Sequence, residues 1–301
     1  MPRELTIAGR AINDQSPCYV IAEIGGNHGG DPRVAEQMVR VAARCGADAA
    51  KFQKRENETL YVRSCLEAPY QNENSFGATY GAHRAALELA PGRLADLGST
   101  GAALGIHVFV TAFDERSADH CAELGFPAIK IHSGGLTDRP LLRHVASLGR
   151  PVILSTGGGR LEDIDRAVSI LGDCPHAILH CTASYPLAPA EANLECIVTL
   201  RERYQNTVIG FSSHSPGIVL SLVAYALGAR IIEHHFTLNR ASKGTDHAFS
   251  LEPKGLAQLV EDLEKVRQAM GDGVKRVYPS ELKPLAKMTR VATSEGWRIA
   301  G

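Results

Sequence analysis

His214 and His235 each close an apolar run in TVIGFSSHSPGIVLSLVAYALGARIIEHHFT (207 to 237), with one helical pattern between them. Read as strand, helix, strand, the stretch is a βαβ unit. The helix returns the chain to the same end, so the strands are parallel and their tips share one edge of the sheet. Neighbouring strands run about 5 Å apart. Imidazoles on adjacent tips can therefore share one divalent cation and leave its other positions to water or substrate, as in a catalytic metal site. The competing reading is a pair of polar strand-end residues with no ligand. Parity separates the histidines of the second run. Side chains alternate along a strand, so Glu233 and His235 share one face, while His234 and Phe236 share the other. Phe236 suits the helix-packed face, which makes His235 the expected ligand and His234 a structural residue.

Two lysines come next. A lysine inside an apolar strand is costly unless its charge is paired or used, and the chain has Lys51 in AAKFQ (49 to 53) and Lys130 in AIKIHS (128 to 133). Aimed at one mouth beside the hydroxyls of Thr111, Ser133 and Ser155, they would bind an anion, a phosphate or phospho-carboxylate. The alternative is a structural ion pair from each lysine to Glu23 or Glu233, which leaves the hydroxyls unexplained. STGGGR (155 to 160) adds a glycine-rich turn with backbone N–H donors.

These groups need a frame that brings distant strand ends together, and the chain supplies one by regular alternation. Apolar runs occur at 18 to 25, 49 to 53, 107 to 113, 128 to 133, 151 to 156, 176 to 182, 207 to 214 and 230 to 237, with helical patterns between them and a closing one at 254 to 270. Gly46, Gly105, Gly125, Gly149, Gly172 and Gly228 act as helix stop signals. Eight such units over this length predict a TIM (β/α)8 barrel rather than an open doubly wound sheet, and no GxGxxG opens the first helix. In a barrel, polar residues at the C-terminal strand ends form the active site. Here they are Glu23, Lys51 with Gln53, Thr111, Lys130 with Ser133, Ser155 with Thr156, His180 with Thr182, Ser212 with His214, and Glu233 with His235. A single domain is expected, with a hairpin cap at 1 to 17, the barrel at 18 to 270 and an extension at 271 to 301. The connection from Lys54 to Pro91 is too long for an ordinary βα loop and is expected to bind an acceptor, through residues such as Asn74 and Arg84. Arg84 would hold a carboxylate or phosphate there, or be a solvated helix charge.

Composition narrows the class. At 301 residues, 44% hydrophobic and 22% charged, with net charge −1, this is a soluble globular chain with no global field to recruit nucleic acid or an anionic membrane. The seven cysteines include no CxxC pair and several fall in apolar segments, which predicts buried thiols in a reducing, cytoplasmic setting. No signal pattern or membrane-length apolar run is present.

The segments IAEIGGNHGGD (21 to 31), GADAAKFQ (46 to 53), KIHSGGLTDRPLL (130 to 142), PVILSTGG (151 to 158), LHCTASYPLAPAEANL (179 to 194), IGFSSHSPGI (209 to 218) and IIEHHFTLNRASKGTDHAFSLEP (231 to 253) resemble the phosphoenolpyruvate-dependent sialic acid synthases, which make N-acetylneuraminic, legionaminic and pseudaminic acids. The resemblance implies a TIM barrel in which phosphoenolpyruvate C3 attacks the aldehyde of an open-chain sugar, water adds at C2 and phosphate leaves. It implies that His214 and His235 bind the metal, usually manganese, with magnesium or cobalt as substitutes. Lys51, Thr111, Lys130, Ser133, Ser155 and Ser212 would contact phosphoenolpyruvate, and Glu23, Gln53, Tyr185, Glu233 and Asp246 would surround the acceptor, metal and attacking water. A homodimer is implied as well. Family members commonly have Asp at Ser213, an acidic residue at Gly135, Ser or Asn at Ala183, and a small antifreeze-like domain after the barrel. These departures point to an acceptor other than plain N-acetylmannosamine. The rival readings are a metal-dependent aldolase or epimerase on the same barrel, and a catalytically silent binding barrel.

Overall fold

The computed structural model describes residues 3–299, in two compact units, one running to Val266 and the other from Arg267 onward. The expected extension thus separates slightly earlier, inside the helix Pro253–Met270. A hairpin, β1 (Glu4–Ile7) and β2 (Arg10–Asn13), opens the chain as expected. Its inner residues Leu5, Ile7 and Ile12 are buried. It is tied to the end of the barrel where strands begin: Arg10 pairs with Asp48, and Asp14 accepts from Arg201 at 2.9 Å.

Eight parallel strands then close a barrel: β3 (Tyr19–Gly25), β4 (Ala49–Lys54), β5 (His107–Ala112), β6 (Ile129–Ile131), β7 (Val152–Ser155), β8 (His176–Cys181), β9 (Val208–Ser213) and β10 (Ile231–His235), with β10 paired to both β3 and β9. Each matches an apolar run read from the sequence. These strands are buried on both faces, as helix-covered parallel strands must be, which is why they read as runs and not alternations. Local signals set the helix ends. Asp31 accepts from Arg33 N at 2.8 Å to cap Pro32–Arg44, and Gly105, at φ 71°, takes the left-handed conformation that ends Pro91–Leu104. The second unit holds the helix Pro279–Met288 and an antiparallel hairpin, β11 (Arg290–Thr293) with β12 (Gly296–Ile299).

The long connection after β4 is built rather than loose. It carries short helices at Asn57–Leu60, Arg63–Leu66 and Tyr80–Leu87, gathered around a ring cluster of Tyr61, Tyr70, Phe76, Tyr80 and His83. His83 is buried and its Nδ1 accepts from Phe76 N at 3.2 Å. The side chain of Asn74 accepts from Gly244 N at 3.2 Å, which ties the connection to the loop after β10.

Candidate active site

A cavity of about 520 Å³ opens at the C-terminal end of the strands, and every strand contributes to it. Glu23 comes from β3, Lys51 and Gln53 from β4, Thr111 from β5, Lys130 from β6, Ser155 from β7, Cys181 from β8, Ser212 from β9, and Glu233 with His235 from β10. Ser133, Tyr185, His214, Asp246 and Arg84 join from the loops that follow. Of the residues expected at the site, Asn74 is used in the loop tie, and Thr156, His180 and Thr182 also stay out of the cavity lining.

The two lysines are equally buried, each 2% exposed, but differently held. Lys51 Nζ lies 2.5 Å from Glu23 Oε2 and 3.7 Å from Glu233 Oε2, and donates to Thr111 Oγ1 at 2.6 Å. Lys51 thus makes the ion pairs to Glu23 and Glu233 that the sequence left open, inside the cavity wall. Lys130 instead donates to Ile131 O at 2.9 Å and Ser155 Oγ at 2.6 Å, so two of its three N–H groups are used by neutral acceptors. Desolvation pulls its pKa down. The hydroxyls of Thr111 and Ser155 are therefore acceptors that aim the ammonium groups, and Lys130 keeps a donor for a ligand.

The two carboxylates diverge. Burial, opposed by Lys51 and reinforced by Glu233, pushes Glu23 up to about 7. Against the same desolvation, Lys130 and Lys51 hold Glu233 below the usual carboxylate range, while Ser212 Oγ donates to its Oε1 at 3.0 Å. Two groups of similar type with separated titration are the arrangement for acid and base work near neutrality. Gly25 protects this pair. Its φ is 54°, and a Cβ there would stand 3.1 Å from Gln53 Nε2 and 3.2 Å from Glu23 Oε1. If Glu23 serves as a base, kcat/KM falls as pH drops through about 7. Because the folded chain binds this proton more tightly than the unfolded chain, Glu23 also loses stability for the fold as pH rises through the same window. A pH–rate profile reads the limb directly, and a midpoint near the ordinary carboxylate value would remove the base assignment.

Strand pairing places Glu233 beside Ser212 and His234 beside Ser213, so His214 and His235 are the next residues along, with ring centroids 5.4 Å apart. His214 Nδ1 donates to Thr182 O at 2.8 Å, which leaves Nε2 as the lone-pair nitrogen. Burial, then His235, lowers His214 to about 4, and burial also lowers His235. His235 Nδ1 is buried without a hydrogen bond, 3.7 Å from Asp246 Oδ2. Neutral imidazoles with a lone pair and an orphaned buried nitrogen fit a divalent cation. Among the described residues no three His, Cys, Asp or Glu side chains form a preformed cage, so the pair would leave positions open. His234 faces away, its Nε2 3.0 Å from Gly217 O.

Residue type misled at the ends of β7 and β8. His180 and Thr182 do not face the cavity: His180 Nε2 is 2.7 Å from Ala192 O, and Cys181 between them lines the site. Thr156 also turns away, to Leu179 O. Arg55, Phe113 and His132 line the cavity and were not singled out. Each stands two residues beyond an identified inward side chain, Gln53, Thr111 and Lys130, so continued alternation was the available signal. Gly134 lines the cavity; Gly135 lies beneath it, where a Cβ would meet Ile131 Cγ2 at 2.7 Å. All seven cysteines are unbridged, and among the described residues no helix is long and apolar enough to cross a membrane.

A family model described as "NeuB family" matches residues 38–275. The chain is 40% identical to N-acetylneuraminate-9-phosphate synthase of Mus musculus, over 94% of this chain and 79% of that protein. It is 34% identical to N,N'-diacetyllegionaminic acid synthase of Legionella pneumophila, over 95% of this chain and 84% of that one. Among solved structures, N-acetylneuraminic acid synthetase of Leptospira borgpetersenii, in complex with citrate, superposes with a TM-score of 0.81 at 35% identity, covering 95% of this chain and 96% of that chain.

Proposed function

The chain belongs to the NeuB family, and from that premise we propose that it joins phosphoenolpyruvate to the aldehyde of a sugar-like acceptor, giving a 2-keto-3-deoxy acid and phosphate. One observation carries the reading: two buried lysines and two ligand-ready histidines line a single cavity in the barrel mouth. Phosphoenolpyruvate brings a phosphate and a carboxylate, and Lys51 and Lys130 neutralise them, with Ser133, Ser155 and Thr111 completing the hydrogen bonds while Ser212 keeps its proton on Glu233. The new bond joins C3 to the aldehyde carbon, the aldehyde oxygen gains a proton, water adds at C2 and phosphate departs. Glu23, near neutrality, moves a proton at its carboxyl group, and Glu233 stays ionised to hold Ser212 and balance the lysines. Tyr185, its ring centroid 4.1 Å from that of His214, and Gln53, which donates to Glu23 Oε1 at 2.9 Å, orient the acceptor and the acid. His214 and His235 would hold a divalent cation, manganese by the resemblance, and such an ion would supply Lewis-acid chemistry for a bound aldehyde. The unbridged cysteines support a cytoplasmic setting, and a homodimer follows from the resemblance alone.

The relatives' names divide between a phosphorylated and an unphosphorylated product, so family membership leaves the acceptor class open. The test is phosphate release from phosphoenolpyruvate with a panel of aldoses, on chelated enzyme with and without added manganese. Release that needs both an aldose and the cation is expected. Release without an aldose, or aldose cleavage without phosphoenolpyruvate, would replace this reading with another.

A further inference from the structure

Alternation carries the strand ends outward in rows. Gln53, Thr111 and Lys130 are register partners across β4, β5 and β6. Two residues further along each of these strands, Arg55, Phe113 and His132 face the same cavity, and their side chains form a stack. The Arg55 guanidinium carbon lies 3.5 Å over the Phe113 ring centroid, and that centroid lies 4.0 Å from the His132 centroid at an interplanar angle of 21°. His132 is fixed in turn, because its Nδ1 accepts from Gly134 N at 3.1 Å. Desolvation, then Lys130, Arg55 and Lys51, lowers His132 to about 3, so the imidazole stacks uncharged. Laid on a ring that is itself held, the guanidinium keeps one orientation.

The charge of Arg55 is already balanced, with Glu88 Oε1 3.7 Å from its Nη1. What its side chain supplies is direction. Among the described residues it donates one hydrogen bond, from Nη2 to Gln53 Oε1 at 2.7 Å, and Gln53 Nε2 donates in turn to Glu23 Oε1 at 2.9 Å. The other carboxyl oxygen of Glu23 lies 2.5 Å from Lys51 Nζ. A primary amide has an acceptor end and a donor end of nearly equal shape, and turned over it would set its oxygen against the oxygen of Glu23. Arginine has donors only, so the end of Gln53 that it holds is the oxygen, and the end left for Glu23 is the NH2 group.

We propose that Arg55 is a positioning residue, which acts through the Gln53 amide to hold the Glu23 carboxyl group in place for proton transfer. The proposal rests on the condensation reading above, in which Glu23 moves a proton, and deepens it. Arg55 makes no bond to the reacting atoms. Its removal frees the Gln53 amide to rotate, and Glu23 Oε1 then loses its donor while Lys51 still holds Oε2.

The test is a double-mutant cycle in kcat, with phosphoenolpyruvate, manganese and the best aldose of the panel above. Arg55→Met, which keeps an unbranched chain over Phe113, should lower kcat about 10- to 100-fold, the scale of a misplaced reacting group, while KM for phosphoenolpyruvate stays within about threefold of wild type. Gln53→Met should lower kcat by at least as much. The double variant should be no slower than Gln53→Met alone, since a residue that acts through another has nothing to add once the other is gone. Losses that multiply in the double variant, an Arg55→Met kcat within about twofold of wild type, or a loss carried mainly by a higher KM for the aldose would each overturn the assignment, the last by making Arg55 an acceptor contact. If Arg55→Met does not fold, Phe113→Leu, which withdraws the ring beneath the guanidinium, takes its place in the cycle with the same non-additivity required. Should no aldose release phosphate, the condensation reading fails, and NMR exchange of the Gln53 side-chain amide protons, assigned by their loss in Gln53→Met, then judges the hydrogen-bond chain alone. Slow exchange that quickens by about tenfold or more in a folded Arg55→Met upholds it, and equal exchange in both refutes it.

Discussion

Replacing His235 with alanine is expected to lower kcat/KM by about 10³-fold and to remove bound cation, whereas His234→Ala keeps turnover within about threefold of wild type. The two histidines are adjacent, both buried and both held below their ordinary pKa by desolvation, so neither burial nor titration distinguishes them. Direction does. His235 Nδ1 has no hydrogen bond and its ring lies 5.4 Å from that of His214, while His234 is spent on backbone carbonyls, including Gly217 O at 3.0 Å. His234→Ala strands that carbonyl, and a lost buried hydrogen bond costs about 1 to 3 kcal/mol, so this variant should melt earlier while still turning over. Elemental analysis of both variants after dialysis against manganese checks the contrast. Equal metal loss in the two would undo it.

Lys130→Met should weaken phosphoenolpyruvate by about 2 to 5 kcal/mol, the usual loss when one partner of a desolvated, hydrogen-bonded charge pair is removed. Methionine keeps most of the side-chain volume and deletes the ammonium. Lys51 is the poorer probe, because it is bound to Glu23 and Glu233, and its removal would leave two buried carboxylates short of a cation, a structural loss of about 3 to 5 kcal/mol. Among the described residues Lys130 makes no ion pair within 4.0 Å, and its removal leaves Glu233 with its nearer cation, Lys51. Calorimetric titration with phosphoenolpyruvate should show the loss, with cation content unchanged. An unaltered affinity would move the anion site off Lys130.

The sequence alone carried the barrel, because the barrel strands are buried on both faces and announce themselves as apolar runs, and most of the helices between them stop at or just before a glycine. It also carried most of the cavity, since alternation from one known inward residue predicts the next, as from Glu233 to His235. The same double burial explains the failure at β8. A strand apolar on both faces has no polar stripe to show which side is inward, and His180 and Thr182 were chosen over Cys181 on residue type. Tertiary structure decided what depends on neighbours distant in the chain. Asn74 and Arg84 sit on one insertion and look alike as polar candidates, yet Asn74 is consumed by Gly244 and Arg84 reaches the cavity. Lys51 and Lys130 share a sequence signature, but only Lys51 is ion-paired. Glu23 and Glu233 are the same residue on neighbouring strands, and their opposite titration comes from unequal neighbours: Glu233 faces two lysines, while Glu23 faces one lysine and another carboxylate. Residue type and spacing set which groups reach the barrel mouth; the electrostatics there are sums over contacts that only the closed barrel brings within a few ångströms.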